Sequence, residues 1–257
     1  ISLEYYLNSS GEEDFEVLKF AYFNSSLQTG LKNVIDRAII RRGRKELPIH
    51  DLVAKKVDEI PFDFKRRRMS VVVKKEQGAR KLITKGAIEE MVSICDKVQV
   101  RGEIIELTPE IKEQVMETAY KLNEDGMRVL GVAQKADVPD ETKFGVAVEC
   151  EMTLIGYMGF LDPPKETSIT AIKALYEHGL DIKVLTGDND IVTKKIAKEV
   201  GIPITSVFLG TDIEGVSDEK LYEMALKSSI LAKLSPTQKE RVIRVLQEHG
   251  HVVGFLG

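Results

Sequence analysis

The chain has 257 residues, enough for one large or two ordinary domains, each with its own core. Its 43% hydrophobic and 30% charged residues describe a folded globular protein rather than a disordered one, and a net charge of −4 argues against a general nucleic-acid binder. No apolar run reaches the roughly 20 residues that a membrane helix needs, and two cysteines, Cys95 and Cys150, are too few for a disulfide framework, which favours a reducing, cytosolic setting.

There is neither an initiator Met nor a signal peptide. The chain opens inside a strand-like run, Ser2 to Leu7, and stops at Gly254-Phe255-Leu256-Gly257, so both ends read as cuts in a longer polypeptide. After that strand, Glu12-Glu13-Asp14 precede Phe15, Leu18, Ala21, Tyr22 and Leu27, and acidic residues ahead of this spacing predict a helix over about 13–28. Thr29-Gly30 breaks it. A second helix is expected from Leu31 to Arg41, burying Val34, Ile35, Ala38 and Ile39 with Asp36 on its other side, and 41–51 is expected to be a polar loop. Val57 to Phe64 and Met69 to Val73 read as strands joined through Lys65-Arg66-Arg67-Arg68. Glu76-Gln77-Gly78 is expected as a turn and Arg80 to Thr84 as a third strand, making 55–85 a meander. A short helix from Ile88 to Ile94, a longer one opened by Thr108-Pro109-Glu110 and running to about Asn123, and a strand from Arg128 to Ala133 complete an α+β half with an antiparallel sheet. Residues 135–150 are polar and poorly periodic, hence loop.

From 151 the pattern changes. Strand Thr153 to Phe160 is followed by helix Glu166 to Glu177 with Ile169, Ile172, Leu175 and Tyr176 inward, strand 182–185 and helix 190–199. Then come strand Ser206 to Leu209, helix Ser217 to Lys227, strand Ile230 to Ala232, helix Pro236 to Glu248 and a last strand His251 to Leu256. Such alternation with apolar strands predicts a parallel, doubly wound sheet. The expected fold is therefore α/β with α+β, in two domains of residues 1–155 and 156–257, the second truncated at both edges of its sheet.

Five places carry candidate chemistry. At Val184-Leu185-Thr186-Gly187-Asp188-Asn189 a strand ends in a hydroxyl, a glycine, a carboxylate and an amide, and a helix pattern follows in Ile191, Val192, Ile196 and Val200. Backbone N–H groups and the helix dipole at such a point face an anion, and Asp188 offers a hard oxygen suited to magnesium. An ordinary turn with an Asx cap fits the hexapeptide equally. Lys65 to Arg68 is either a solvated hairpin edge or a polyphosphate-facing patch. Lys85-Gly86-Ala87, at a strand end before a helix, can bring an ammonium and free N–H groups to a phosphate or purine, as can many unremarked turns. Asp162 leaves the sheet beside Pro163-Pro164, where a plain turn carboxylate is the simpler account. Lys239 lies one turn into a helix begun by Ser235-Pro236, a position usually solvated.

In order, Lys85-Gly86-Ala87, Gly126-Met127-Arg128-Val129-Leu130, Leu161-Asp162-Pro163-Pro164-Lys165, Leu185-Thr186-Gly187-Asp188-Asn189 and Leu234-Ser235-Pro236-Thr237-Gln238-Lys239 resemble the cytoplasmic head of P-type cation-transporting ATPases over essentially the whole chain. Phe23-Asn24-Ser25-Ser26-Leu27-Gln28-Thr29-Gly30-Leu31-Lys32-Asn33 and Ile60-Pro61-Phe62-Asp63-Phe64-Lys65-Arg66-Arg67-Arg68 look most like the bacterial magnesium-transporting subgroup. The resemblance implies an ATP-binding domain up to about 155, in which Phe62 stacks on adenine and Lys85, Gly86 and Ala87 line its pocket. It implies Asp36 near the base and Arg128 at the phosphates. It further implies part of a haloacid-dehalogenase-like phosphorylation domain, with Thr186, Gly187 and Asp188 as phosphate-binding turn, Asp162 as hinge carboxylate and Lys239 facing an aspartyl phosphate. ATP and Mg2+ are the implied cofactors. The implied partners are the transmembrane, actuator and remaining phosphorylation-domain segments of one polypeptide, at the cytoplasmic face of a membrane. The family's Asp-Lys-Thr-Gly-Thr and Gly-Asp-Gly-x-Asn-Asp motifs do not occur in these residues, and Gly257 would fall on the first glycine of the latter. The expectation is a head fragment that presents the γ-phosphate of ATP to an aspartate outside the chain and is itself inactive. A haloacid-dehalogenase-type phosphatase with a cap domain, which would need an Asp-x-Asp nucleophile strand, and a non-catalytic binding module are the alternatives.

Overall fold

Chain segments of both periodicities sort into two units in the structure, a computed structural model that describes residues 1–30, 32–74, 79–136, 138–139 and 143–255. The first unit comprises Ile1–Leu122 and Val129–Asp162, the second Asn123–Arg128 and Pro163–Gly257.

The first unit is built on an eight-stranded sheet: β1 (Ser2–Asn8), β2 (Lys55–Asp63), β3 (Arg68–Lys74), β4 (Arg80–Ala87), β5 (Cys95–Val100), β6 (Glu103–Glu106), β7 (Met127–Ala136) and β8 (Met152–Leu161). Its order is β2-β3-β4-β7-β8-β5-β6, with β1 also paired to β8. The β1–β8, β2–β3, β3–β4, β4–β7 and β5–β6 ladders are antiparallel, whereas β5–β8 is parallel. Side-chain alternation splits the apolar residues between two faces. Val71, Val73, Ile83 and Met158 pack with helices α1 (Phe15–Leu27) and α2 (Val34–Glu46). Val72, Leu82, Leu154 and Tyr157 pack with α3 (Ile88–Ser93) and α4 (Pro109–Glu124). Asn24, buried inside α1, donates to the Met69 carbonyl (3.2 Å) and the Ile83 carbonyl (2.8 Å), which ties the helix to β3 and β4.

Several expectations change here. The second helix runs to Glu46, so 41–46 is helix and not loop, while Leu31 lies outside the described residues. Gly43 explains the extension: a β-carbon there would stand 2.5 Å from the Tyr22 ring, so α1 and α2 approach closely where the sequence reads as merely polar. Val34, expected inside, is 56% exposed, and Asp36, expected on the outer side, is 1% exposed. Asp36 is the third residue of a capping box with Asn33, and its side chain folds back beneath the helix start. The hairpin β5–β6 was not expected. Its two-residue connection, Arg101 (φ 51) and Gly102 (φ 86), is a positive-φ hairpin turn. The turn expected at Glu76-Gln77-Gly78 lies outside the described residues.

Strand β8 is the largest rearrangement. Its apolar run is expected to open the parallel sheet, but it crosses 155 and 156 without a break and pairs with β7, β1 and β5 in the antiparallel-rich first sheet. A central strand covered on both faces has the same unbroken apolar signature as a parallel one.

The second unit carries the parallel sheet, with β9 (Val184–Leu185), β10 (Ser206–Leu209) and β11 (Ser228–Ala232) in the order β10-β11-β9. Leu231 packs with α7 (Asp218–Lys227) and α8 (Pro236–Glu248) on one side. Ile230 and Ala232 pack with Ala197 of α6 (Asp190–Glu199) and with Ile172 of α5 (Glu166–Glu177) on the other. The doubly wound expectation holds for these three strands. The inward face expected for α5 is met in part: Ile172 packs against the sheet and Leu175 and Tyr176 are half-buried, whereas Ile169 is 52% exposed and no residue of the helix is fully buried. Residues 251–255 form no strand, and Leu256 lies outside the described residues.

Candidate functional site

In the first unit the candidate residues gather on neighbouring strands. The loop after β2 closes with Arg67 N–H donating to the Asp63 carbonyl (2.7 Å), while the Asp63 carboxylate accepts from the Lys65 and Arg66 N–H groups at 2.9 Å each. These bonds, the Arg66 N–H foremost and Lys65 adding to it against the opposing effect of burial, hold the Asp63 carboxyl below the usual aspartate range. The end of β2 and the loop that follows display two rings. Phe62 is 52% exposed and meets Phe64 edge to face at 5.3 Å.

Next to this loop, β3 pairs Arg68 with Gly86 and Met69 with Lys85, and β4 in turn pairs Lys85 with Val132. Lys85, Gly86 and Ala87 therefore close β4 within the ladder, and Ala87 is the N-cap of α3, as the strand-to-helix reading expects. Gly86 is enclosed, and the Ala87 N–H donates to the Arg67 carbonyl at 3.1 Å. A β-carbon on Gly86 would lie 2.6 Å from the Arg67 carbonyl oxygen and 2.5 Å from Arg68 Cβ, so only glycine permits this close crossing.

The Lys85 side chain turns toward the helical face. Its buried ammonium donates to Ser25 Oγ at 2.5 Å and forms an ion pair with Asp36. Asp36 also accepts from Gln28 Nε2 (2.5 Å) and from the Asn33 N–H (3.2 Å). Burial lowers the Lys85 pKa from its ordinary value; the Asp36 carboxylate opposes that shift and the Lys32 charge reinforces it. Ser25 and Gln28 were not singled out from the sequence, because a serine and a glutamine at a helix end carry no signal until the partner strand is placed.

In the second unit β9 and β11 deliver their C-terminal ends side by side. The Thr186 N–H donates to the Leu231 carbonyl (3.0 Å), the Leu234 N–H to the Thr186 carbonyl (2.9 Å) and the Lys233 N–H to the Asp188 carbonyl (2.8 Å). Thr186 Oγ1 accepts from the Asp188 N–H at 3.1 Å. The turn feeds α6 through its cap, Asn189 Oδ1, which accepts from the N–H groups of Ile191 and Val192. The stitched segment 231–234 feeds α8, whose start is a capping box of Ser235 and Gln238. Lys239 lies in the first turn of α8. Two helix N-termini thus open at one edge of a parallel sheet, where anions bind in such folds. Arg128 belongs to this unit, and its Nη2 pairs with Asp188 Oδ2 at 2.7 Å. Asp162 directly follows β8 in the first unit, 3.6 Å from the Ile1 amino group. Among the described residues no group of three or more His, Cys, Asp and Glu side chains could share one cation. Asp188 is the carboxylate that the turn itself offers. No helix is long and apolar enough to cross a membrane among the described residues.

Known proteins fit this architecture. The chain is 42% identical over its full length to a magnesium-transporting ATPase, P-type 1, of Salmonella typhimurium, and 42% identical to the protein of that name from Escherichia coli K12. Over 82% of its length it is 28% identical to calcium-transporting ATPase 1 of Lactococcus lactis. It spans 29% of the length of the magnesium-transporting relatives. The family model described as P-type ATPase, cytoplasmic domain N, matches residues 9–167. That span covers nearly all of the first unit with its mostly antiparallel sheet, and on this ground the chain belongs to the P-type ATPase family.

Proposed function

We propose that this chain is the ATP-binding head of a cation-transporting ATPase and that its first unit holds the base of the nucleotide. The observation that carries the reading is the exposed Phe62 ring near the end of β2, one strand away from the rung that holds the buried Lys85–Asp36 pair. An aromatic face open to solvent offers stacking to any purine, and charged groups fixed beside it supply orientation. In this reading Phe62 stacks on adenine, Gly86 and Ala87 form the wall of the pocket, and Lys85 and Asp36 set its polar end.

The second unit is read as part of a phosphorylation domain of haloacid-dehalogenase-like type, with domains close to 1–155 and 156–257. Thr186, Gly187 and Asp188, together with Lys239 and Arg128, would receive the phosphates, and Asp162 would act at the hinge. Phosphoryl transfer requires positioning and charge around the phosphoryl oxygens more than covalent help. A hydroxyl, turn N–H groups and cations fit that need, and the Asp188 carboxylate suits the magnesium that accompanies ATP. The accepting aspartate is read as lying outside these residues, in a polypeptide that also carries transmembrane and actuator segments and has this head on the cytoplasmic face. Magnesium as the transported ion is supported by the higher identity to the magnesium-transporting relatives than to the calcium-transporting one.

The test is an ATP titration of the 257-residue chain followed by amide shifts. Saturable perturbation at Phe62, Lys85 and Gly86, lost in Phe62→Ala, is the expected result. Absence of saturation up to millimolar ATP would overturn the reading.

A further inference from the structure

Glu149 is a buried carboxylate for which neither the family nor the nucleotide reading has a use. It follows a 3-10 turn, Val146–Val148, in the stretch that reads as featureless loop, yet its side chain is 0% exposed. An ionised carboxylate removed from water is tolerated only when paired and hydrogen-bonded. Glu149 is satisfied on both oxygens. Oε2 accepts from Arg66 Nη1 (2.6 Å) and Arg68 Nε (2.9 Å), and Oε1 accepts from Ser70 Oγ (2.6 Å), which itself shares a hydrogen bond with Thr84 Oγ1 (2.7 Å).

The geometry shows where this anchor leads. Arg66, held by Glu149 through Nη1, donates through Nη2 to the Pro61 carbonyl at 2.7 Å, the peptide that joins Pro61 to Phe62. Arg68 is the residue that crosses Gly86, and Ser70 pairs with Thr84, one residue before Lys85. Half of the four-cation run is thus turned inward as a clamp. We propose that Glu149 is a positioning residue for the nucleotide base: through Arg66 it fixes the Pro61-Phe62 peptide, and through Arg68 and Ser70 it fixes the rungs that carry Gly86 and Lys85. The inference rests on the nucleotide reading above. It adds a residue that touches no ligand and acts only through the ring it aims. Pro61 and Phe62 lie where β2 shifts register against β3, between Ile60 and Asp63; an unanchored segment there would lose ordering entropy when the base stacks, and an anchored one has lost it already.

A double-mutant cycle tests this. ATP and inorganic tripolyphosphate are titrated into the unaltered chain, Glu149→Gln, Phe62→Ala and the double variant, with thermal melts alongside. Glu149→Gln is expected to weaken ATP binding about tenfold, the scale of one lost positioning contact. It should leave tripolyphosphate binding unchanged and add nothing in the Phe62→Ala background. The melting temperature is expected to fall in either case, since Arg66 and Arg68 lose their charged partner; a merely structural role would weaken tripolyphosphate binding too and give effects that add to those of Phe62→Ala. Unchanged ATP affinity in Glu149→Gln, or additivity, overturns the inference while the nucleotide reading stands. If the unaltered chain binds no ATP, both fall. Should Glu149→Gln not fold, Arg66→Gln breaks the same link from the solvent side and must give the same selective loss of ATP affinity.

Discussion

The Lys85–Asp36 pair lends itself to a quantitative test of how the first unit is held together. Asp36→Asn preserves shape and leaves an oxygen for the capping box, but removes the negative charge opposite a buried ammonium. Breaking a buried pair from one side strands the other charge, which costs about 3–5 kcal/mol. For a unit of this size each kcal/mol moves the midpoint by about 2–4 °C, so the transition of the first unit should fall by about 10 °C. The pH dependence has a definite sign. Burial already lowers the Lys85 pKa from 10.5, and losing the Asp36 charge, which raises it, lowers it further. Between that lowered value and 10.5 the unfolded chain binds the extra proton, so stability rises with pH there. The deficit of Asp36→Asn should therefore be largest at neutral pH and shrink as the solution becomes alkaline. Lys85→Met in the same chain should recover most of it, since no charge is then left stranded. Thermal melts followed by circular dichroism across neutral to alkaline pH provide the assay. A midpoint within about 1 °C of the parent at neutral pH, or a deficit that grows as pH rises, would refute the reasoning.

Gly86→Ala should destabilise the first unit by about 1–3 kcal/mol, because its β-carbon meets backbone and not a movable side-chain tip; denaturant midpoints check this. Asp63 contributes to the hairpin through its ionised form, so with its folded pKa depressed that contribution is complete above the ordinary carboxylate pKa and lost as pH falls through the lowered value. Protection of the Lys65 and Arg66 amides, taken relative to their intrinsic exchange rates, should fall over that acidic window, and Asp63→Asn should make that protection independent of pH. Incubation with γ-labelled ATP should leave no acid-stable label on the chain, and stoichiometric labelling would show that a nucleophile lies within these residues.

What the sequence discloses divides along the range of the interactions involved. Helices α1, α4, α6, α7 and α8 and the β2–β4 meander follow from periodicity and breakers that operate within a few residues. The turn at Thr186-Gly187-Asp188 was legible for the same reason, since a strand, a small-residue turn and a cap are all local. Strand membership was not. The apolar run of β8 states that both faces are covered and leaves open by what, and only its pairing with β1 and β5 assigns it to the first sheet. Asp36 and Lys85 are 49 residues apart, so their charges read separately as an outward carboxylate and a strand-end lysine. Packed together, each becomes the reason the other can be buried. Glu149 is the extreme case, standing 83 residues from Arg66 in a segment without periodicity. The run Lys65 to Arg68 could be read only as one patch, solvated or phosphate-facing, because the carboxylate that turns Arg66 and Arg68 inward leaves no trace within reach of them along the chain. Spacing and the family resemblance point to residues that could do chemistry. Which of them support the others is a property of cross-sheet pairing, and there a single buried charge decides the orientation of its partners.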